Sequence, residues 1–382
     1  MRPETASESR RIVVASMFAG VPDQGGWVWA VLQWVLGLRQ CGHDVLLVEP
    51  AANIDPVAGT TFAALVEEFG LGGDAAMVTP SREAAGLAFD EVADRCSKAD
   101  LLLNIAGVLT DAELFQPIPA RAYVDVDPGF TQLWHQTEGI DMRLAGHTAH
   151  FTVGLNVGSE GCPIPTCGVE WVPTLPPVVL ERWPIGTGLD HDGLTTVANW
   201  RGYGSVDHDG FFYGQKAHSW RDLFSLGHRS PRPCIPALAI HPDEEKDVAA
   251  LAEHGWSLLE PAEVAATPVD YHRFVSGSWA ELGVAKSGYV VSRSGWFSDR
   301  SACYLASGRP VVAQDTGFSD QLPVGEGLLA FDGVDDAVDA ITAVASDYER
   351  HRRAARAFAE EHLDSRRVLE RIVTLAGKRS AR

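Results

Sequence analysis

Short apolar runs alternate along this chain with longer stretches of helical period. Residues 11–16 (Arg-Ile-Val-Val-Ala-Ser) form a run without polar alternation, which predicts a strand buried on both faces. In 27–40, Trp27, Val31, Trp34 and Leu38 share one face of a helix, and Gly42 supplies its stop. Further strands are expected at 45–48, 101–105 and 122–126, and helices at 62–69 and 82–96. Pro173-Thr-Leu-Pro-Pro177 and Pro184-Ile-Gly-Thr-Gly188 then interrupt the pattern. A second series follows, with strands at 195–198, 237–240, 256–259, 289–292 and 310–313. Its helices are expected at 243–254, 334–345 and 348–375. Alternation of this kind implies parallel sheets wrapped by helices. The predicted fold is α/β: two Rossmann-like domains facing a cleft, with the last helix crossing back to the first domain. The boundaries are 1–176, a linker at 177–193, and 194–382. Ligands of such sheets sit beyond the carboxyl ends of the strands.

Composition narrows the function. The 382 residues are 46% hydrophobic and 21% charged, the composition of a globular protein. A net charge of −20 argues against nucleic acid and anionic membranes as partners, so no nucleic-acid partner is expected. No run of about 18 apolar residues occurs, and the polar opening of the chain has no signal-peptide core, so a cytoplasmic protein is expected. Five of the 31 basic residues are lysine, a bias typical of GC-rich bacterial genomes. The six cysteines are scattered. Cys162 and Cys167 have no second Cys/His pair at zinc-site spacing, so no metal is expected.

The segment 291–313 carries the most chemistry. It reads as strand, glycine turn, helix, glycine stop and strand, with Ser298 as N-cap, Asp299 and Arg300 in the first turn, and Gly308 at the end. The helix N-terminus is a ready anion site. Arg300 opposes the helix dipole there, a conflict that an anionic ligand would resolve. Otherwise Ser298 and Asp299 merely cap the helix and Arg300 points to solvent. Arg201 lies in the glycine-bearing loop 199–204. Lys216 and Lys286 stand out because lysine is rare, as phosphate contacts or as surface residues.

These segments resemble the GT-B class of nucleotide-sugar-dependent glycosyltransferases, over nearly the whole chain. The most specific stretch is 285–318, which ends in Ser307-Gly-Arg-Pro-Val-Val312 and resembles the donor-binding strand–loop–helix–strand. Phe18-Ala-Gly-Val-Pro, Gly42-His-Asp-Val, Asp125-Val-Asp-Pro-Gly and Pro165-Thr-Cys-Gly are similar to a bacterial branch of these enzymes. The resemblance implies transfer of a sugar from a nucleoside diphosphate, TDP or UDP as the carrier, with no further cofactor and no metal. It places Gly295, Trp296, Ser298, Asp299 and Arg300 on the donor, with Asp315 and Thr316 near the sugar. Arg201, Lys216, Arg293 and Ser294 join them as donor candidates, although Arg201 and Lys216 lie fifteen apart where the common retaining members carry a close-spaced Arg/Lys pair. The acceptor is expected to be a small molecule or glycan of bacterial secondary metabolism, such as antibiotic biosynthesis; a homodimer is left open. Two elements of the common retaining members are absent, Glu-Gly-Phe-Gly and Glu-Ala-Met-Ala, and Cys303 stands where the second one's Glu would be. Stereochemical outcome and catalytic competence are therefore open.

The first half is expected to supply the acceptor side. Asp127, just after a strand, is the first candidate for general base, and Asp23 in the glycine loop the second. Asp127-Pro-Gly is equally a plain turn. Gly20, Trp27, His135 and His147 are the candidate acceptor contacts. Two rivals remain. A dinucleotide oxidoreductase would use Glu49 on ribose, but Gly20…Gly25-Gly26 does not fit the dinucleotide fingerprint. A nucleotide-sugar isomerase or epimerase, or a non-catalytic sugar-nucleotide-binding protein, would share the fold.

Overall fold

The computed structural model describes residues 9–21 and 23–380. The polar opening segment, 1–8, and Pro22 of the glycine loop lie outside the described residues. The first sheet contains β1 (Arg11–Ala15), β2 (Asp44–Pro50), β3 (Ala75–Val78), β4 (Ala84–Gly86), β5 (Leu101–Ile105), β6 (Ala120–Asp125), β7 (Ala149–Thr152) and β8 (Trp171–Pro173). Its order is β4-β3-β2-β1-β5-β6-β7-β8, parallel except for the β3–β4 pair. The second sheet uses β9 (His191–Asn199), which is followed by a hairpin of β10 (Val206–His208) and β11 (Phe211–Tyr213). It continues through β12 (Cys234–Ala239), β13 (Ser278–Gly283), β14 (Val311–Gln314) and β15 (Leu328–Phe331). The order β12-β9-β13-β14-β15 is parallel throughout.

Near-continuous apolar runs such as Ile12-Val-Val-Ala and Leu101-Leu-Leu are buried on both faces, as parallel strands between helix layers require. The helix Gly25–Gln40 buries Val31, Trp34 and Leu38 as its period predicts. The final helix, Ser365–Ser380, returns to pack on it: a Cβ at Gly37 would lie 2.7 Å from Ser365 Cβ, so a larger residue there would push the two helices apart. The chain crosses between the sheets twice, and the crossings pair with each other. Val178 N donates to Leu363 O and Ser365 N to Val178 O. No helix among the described residues is long and apolar enough to cross a membrane.

Several elements differ from expectation. Residues 289–292 are part of a helix, Ser287–Ser292, and the neighbouring strand is β13 instead. Residues 256–259 contribute only an isolated bridge, Leu259 to Ala237. The first part of 82–96 forms β4, and the helix there is Phe89–Ser97. The long last helix is broken into Tyr348–Phe358, a π turn Ala359–Leu363, and Ser365–Ser380.

Candidate functional site

Two cavities lie where the carboxyl ends of the two sheets face each other. The first, about 100 Å³, is apolar: it is walled by Trp27, Val31 and Trp34 from the first helix and by Ile105, Val126 and Val153 after β5, β6 and β7. Trp296, Phe297, Asp299 and Cys303 close it from the second domain. The second, about 210 Å³, is polar and lies against Val197, Ala198 and Asn199 at the end of β9. Its other walls are Lys216, Arg300, Asp299, Tyr271, Asp23 and Trp27. Trp27 and Asp299 line both.

The polar cavity is lined by two cations, Lys216 and Arg300, and two acids, Asp299 and Asp23, none of which pairs with another across it. Lys216 is half-buried and makes no salt bridge with any described carboxylate; its Nζ lies 5.8 Å from the Trp296 ring centroid. Burial, helped by the positive charges of Arg300 and Lys286, pushes its pKa down to about 7. Arg300 shares the cavity but is anchored from behind. Its Nε donates to Glu281 Oε1 at 2.5 Å and Nη1 donates to Val197 O. Glu281 is fully buried in β13. The conflict between Arg300 and its helix dipole is thus resolved inside the protein by a carboxylate on a strand missed in the sequence. Ser298 caps the helix Asp299–Ala306 as expected, accepting from Arg300 N.

The neighbouring glycine turn serves the domain seam. Gly295, at φ 73°, donates to Thr316 O and accepts from Leu155 N, and a Cβ there would lie 2.8 Å from Asn156 N. Ser294 O accepts from Asn156 N. Arg293 is exposed and pairs with Asp320 at 2.7 Å and Asp315 at 3.7 Å. Asp315 caps the next turn through Gly317 N and the Ser319 hydroxyl, while Thr316 Oγ1 donates to Trp296 O. Of these residues, all expected on the donor, Gly295, Ser294 and the Arg293 carbonyl meet Leu155 and Asn156 of the first domain, while the Asp315 and Thr316 side chains bond within the second domain. Arg201 also falls outside both cavities, occupied by Glu244. Of the donor set, Lys216, Asp299 and Arg300 come together around the polar cavity, and Trp296 lines the apolar one.

The acceptor-side expectations divide similarly. Trp27 lines both cavities, its indole N–H held by Met17 O at 2.9 Å. Asp23, at φ 56°, is exposed on the polar cavity. Asp127 lines neither: Lys286 and the hydroxyls of Tyr203 and Tyr289 hold its carboxylate. Asp125 is fully buried and accepts from Thr131, Gln132 and Thr152, so both acids of Asp125-Val-Asp127 are engaged inside the protein. His147 lies under the sheet among Phe115, Tyr123 and His150, with burial pushing its pKa down to about 4. His135 faces Met142 N and Asp141, away from both cavities. Gly20 N donates to Glu49, which also accepts from Phe18 N and Ala19 N. Glu49 therefore folds the glycine loop, both of its oxygens accepting from backbone N–H groups. Among the described residues, no group of three or more His, Cys, Asp or Glu could hold a metal.

No family model matches the sequence, and no curated protein matches it. Solved structures do. An alpha-glucosyltransferase in complex with UDP superposes with a TM-score of 0.62 at 13% identity, covering 96% of this chain and 100% of that one. The Anabaena protein Alr3699/HepE in complex with UDP-glucose gives 0.61 at 12% identity, covering 96% and 99%. This chain has the GT-B fold. A third structure, an alpha-glucosyltransferase with UDP-glucose and DNA containing an abasic site, matches with a TM-score of 0.61 at 14% identity, covering 96% and 99%. That complex overturns the exclusion of nucleic acid drawn from net charge. A formal charge summed over the whole chain does not describe the surface lining one cleft, where a fold can present its cations.

Proposed function

We propose that this GT-B protein is a glycosyltransferase that binds a nucleoside-diphosphate sugar in the polar cavity and transfers the sugar to an acceptor in the apolar one. The observation that carries the reading is Lys216: a cation without a carboxylate partner, beside Arg300, at the carboxyl end of β9. A diphosphate would give Lys216 the direct contact that neither Asp299 nor Asp23 makes, and charge-assisted contacts of this kind are worth about 1.5–3 kcal/mol. UDP is the favoured carrier over TDP because the similar structures hold UDP or UDP-glucose. The residues bracketing 177–193 would divide an acceptor-binding first domain from a donor-binding second one. With both acids of Asp125-Val-Asp127 engaged, the leaving diphosphate's charge would be met by Lys216 and Arg300 without a divalent metal. The apolar cavity, walled by Trp27, Trp34, Trp296 and Phe297, suits an acceptor with an apolar or sugar-ring face. Calorimetry with UDP and TDP on the wild type and Lys216→Met tests the reading. Binding is expected in the wild type and to be weakened at least tenfold in the variant. Equal affinities would overturn it.

A further inference from the structure

The apolar cavity contains a single acid among the residues that line it, Asp299, and Asp299 is also one of the two residues that reach the polar cavity. It is the first residue of its helix, exposed to the cleft while lying between the domains. No side chain is hydrogen-bonded or ion-paired to it; its near contacts are the backbone groups of its own turn, with Arg300 and Lys216 nearby as charges. Every other acid near the cleft either has an internal task or sits to one side. Asp127 is held by Lys286, Asp125 by four donors, Glu49 by three backbone N–H groups, and Glu281 by Arg300. Asp23 reaches only the polar cavity.

A carboxylate at the start of a helix favours the helix dipole, and that alone is worth about 0.3–1 kcal/mol. Dipole stabilisation does not explain why it faces the junction of two cavities. It also changes the expected cradle for the donor: an N-terminus already carrying Asp299 repels a diphosphate, which leaves Lys216 and Arg300 as the phosphate contacts.

We infer that Asp299 is the carboxylate that receives the acceptor's proton, an assignment that rests on the donor occupying the polar cavity as proposed above. The acceptor hydroxyl enters from the apolar cavity, and its oxygen bonds to the anomeric carbon. The bond from that carbon to the diphosphate oxygen breaks, the electron pair leaving with the diphosphate toward Lys216 and Arg300. The hydroxyl proton passes to a carboxylate oxygen of Asp299. Trp27, the other residue common to both cavities, covers the reacting sugar.

The test uses UDP-glucose and TDP-glucose as donors with water as the acceptor, reading release of the nucleoside diphosphate by Asp299→Asn, Asp299→Ala and the wild type. Asp299→Asn is expected to lower kcat 10²–10⁴-fold, the range of general-base catalysis, with Tm close to wild type and donor affinity no weaker, since a repelling charge is removed. Formate added to Asp299→Ala should restore part of the lost rate, which a merely structural role would not allow. Turnover by Asp299→Asn above a third of wild type, or a rate loss matched by lost donor affinity, would overturn the assignment. A wild type that neither binds nor cleaves either donor would instead overturn the glycosyltransferase reading beneath it.

Discussion

Lys286 and Asp127 pair across the domain seam, with Nζ 3.1 Å from Oδ1 and 3.0 Å from Oδ2. Asp127 belongs to the first domain, just after β6. Lys286 belongs to the second, between β13 and the helix Ser287–Ser292. Phe130, Tyr203 and Tyr289 surround the ammonium at 4.2–5.0 Å from their ring centroids, and burial pushes its pKa below the usual lysine range. The pair is therefore a fastening between domains.

Replacing Asp127 should accordingly act on stability. In Asp127→Asn the Lys286 charge is left largely buried without its partner, a loss of about 3 kcal/mol by comparison with other broken buried pairs. Adding Lys286→Met should recover part of this, since it removes the orphaned charge. Denaturant unfolding of the two single variants and the double variant measures the coupling. Additive losses would show that the pair contributes nothing as a pair.

Arg300 leads to a related expectation. Its guanidinium looks, in sequence, like a free cation awaiting phosphate, so that Arg300→Ala would weaken nucleotide binding and leave the fold intact. The structure reverses the second half of that expectation. Removing Arg300 strands the fully buried Glu281 in the middle of a parallel sheet. We expect Arg300→Ala to lose about 3–5 kcal/mol, with Glu281→Gln restoring a large share in the double variant. An Arg300→Ala protein with unchanged Tm would refute the anchoring role.

These two pairs also show what was legible in the sequence. The first sheet could be read because its strands are unbroken apolar runs, such as Ile12-Val-Val-Ala, separated by helical periods. β13 could not, because Ser278-Trp-Ala-Glu-Leu-Gly carries two polar groups that look solvated until Thr195 and Arg300 are seen to satisfy them. Tyr289-Val-Val was mistaken for a strand because a short apolar run has no period of its own to separate it from a buried helix turn. The site was legible where one helix brings residues together, as with Ser298, Asp299 and Arg300. It was illegible at the seam, where Gly295 meets Asn156 and Asp127 meets Lys286 across more than a hundred residues. No local pattern signals such contacts.

The glycine loop makes the seam's tightness testable. Gly25 N donates to Ala265 O, and a Cβ at Gly25 would lie 2.1 Å from Thr267 O, a backbone atom of the other domain. Gly25→Ala should therefore wedge the domains apart at the mouth of the polar cavity. We expect a loss of about 1–3 kcal/mol, typical of overpacking, together with weaker donor binding. Gly72→Ala is the control, since nothing lies within 4 Å of a Cβ there. Equal effects from the two substitutions would mean the seam yields without cost.

Lys216 ties pH to donor binding. Its pKa in the folded, unliganded protein lies at about 7, below the 10.5 of a free lysine, because burial penalises the charged form and Arg300 and Lys286 add repulsion. Between those two values the unfolded chain holds more protons at this residue than the folded one, so its contribution to stability improves as pH rises through that window. Ligand binding runs the opposite way. A diphosphate placed against Lys216 restores a countercharge and raises the pKa, so the complex takes up a proton on forming. UDP-glucose suits the measurement because its diphosphate has no group titrating in this range. At pH 8, calorimetry in buffers of different ionisation enthalpy should report uptake approaching one proton, and affinity should fall as pH rises from 7 toward 9. Lys216→Met should abolish the uptake and flatten the profile while remaining folded. Proton uptake that persists in the variant would move the titration to another group and remove Lys216 from the donor.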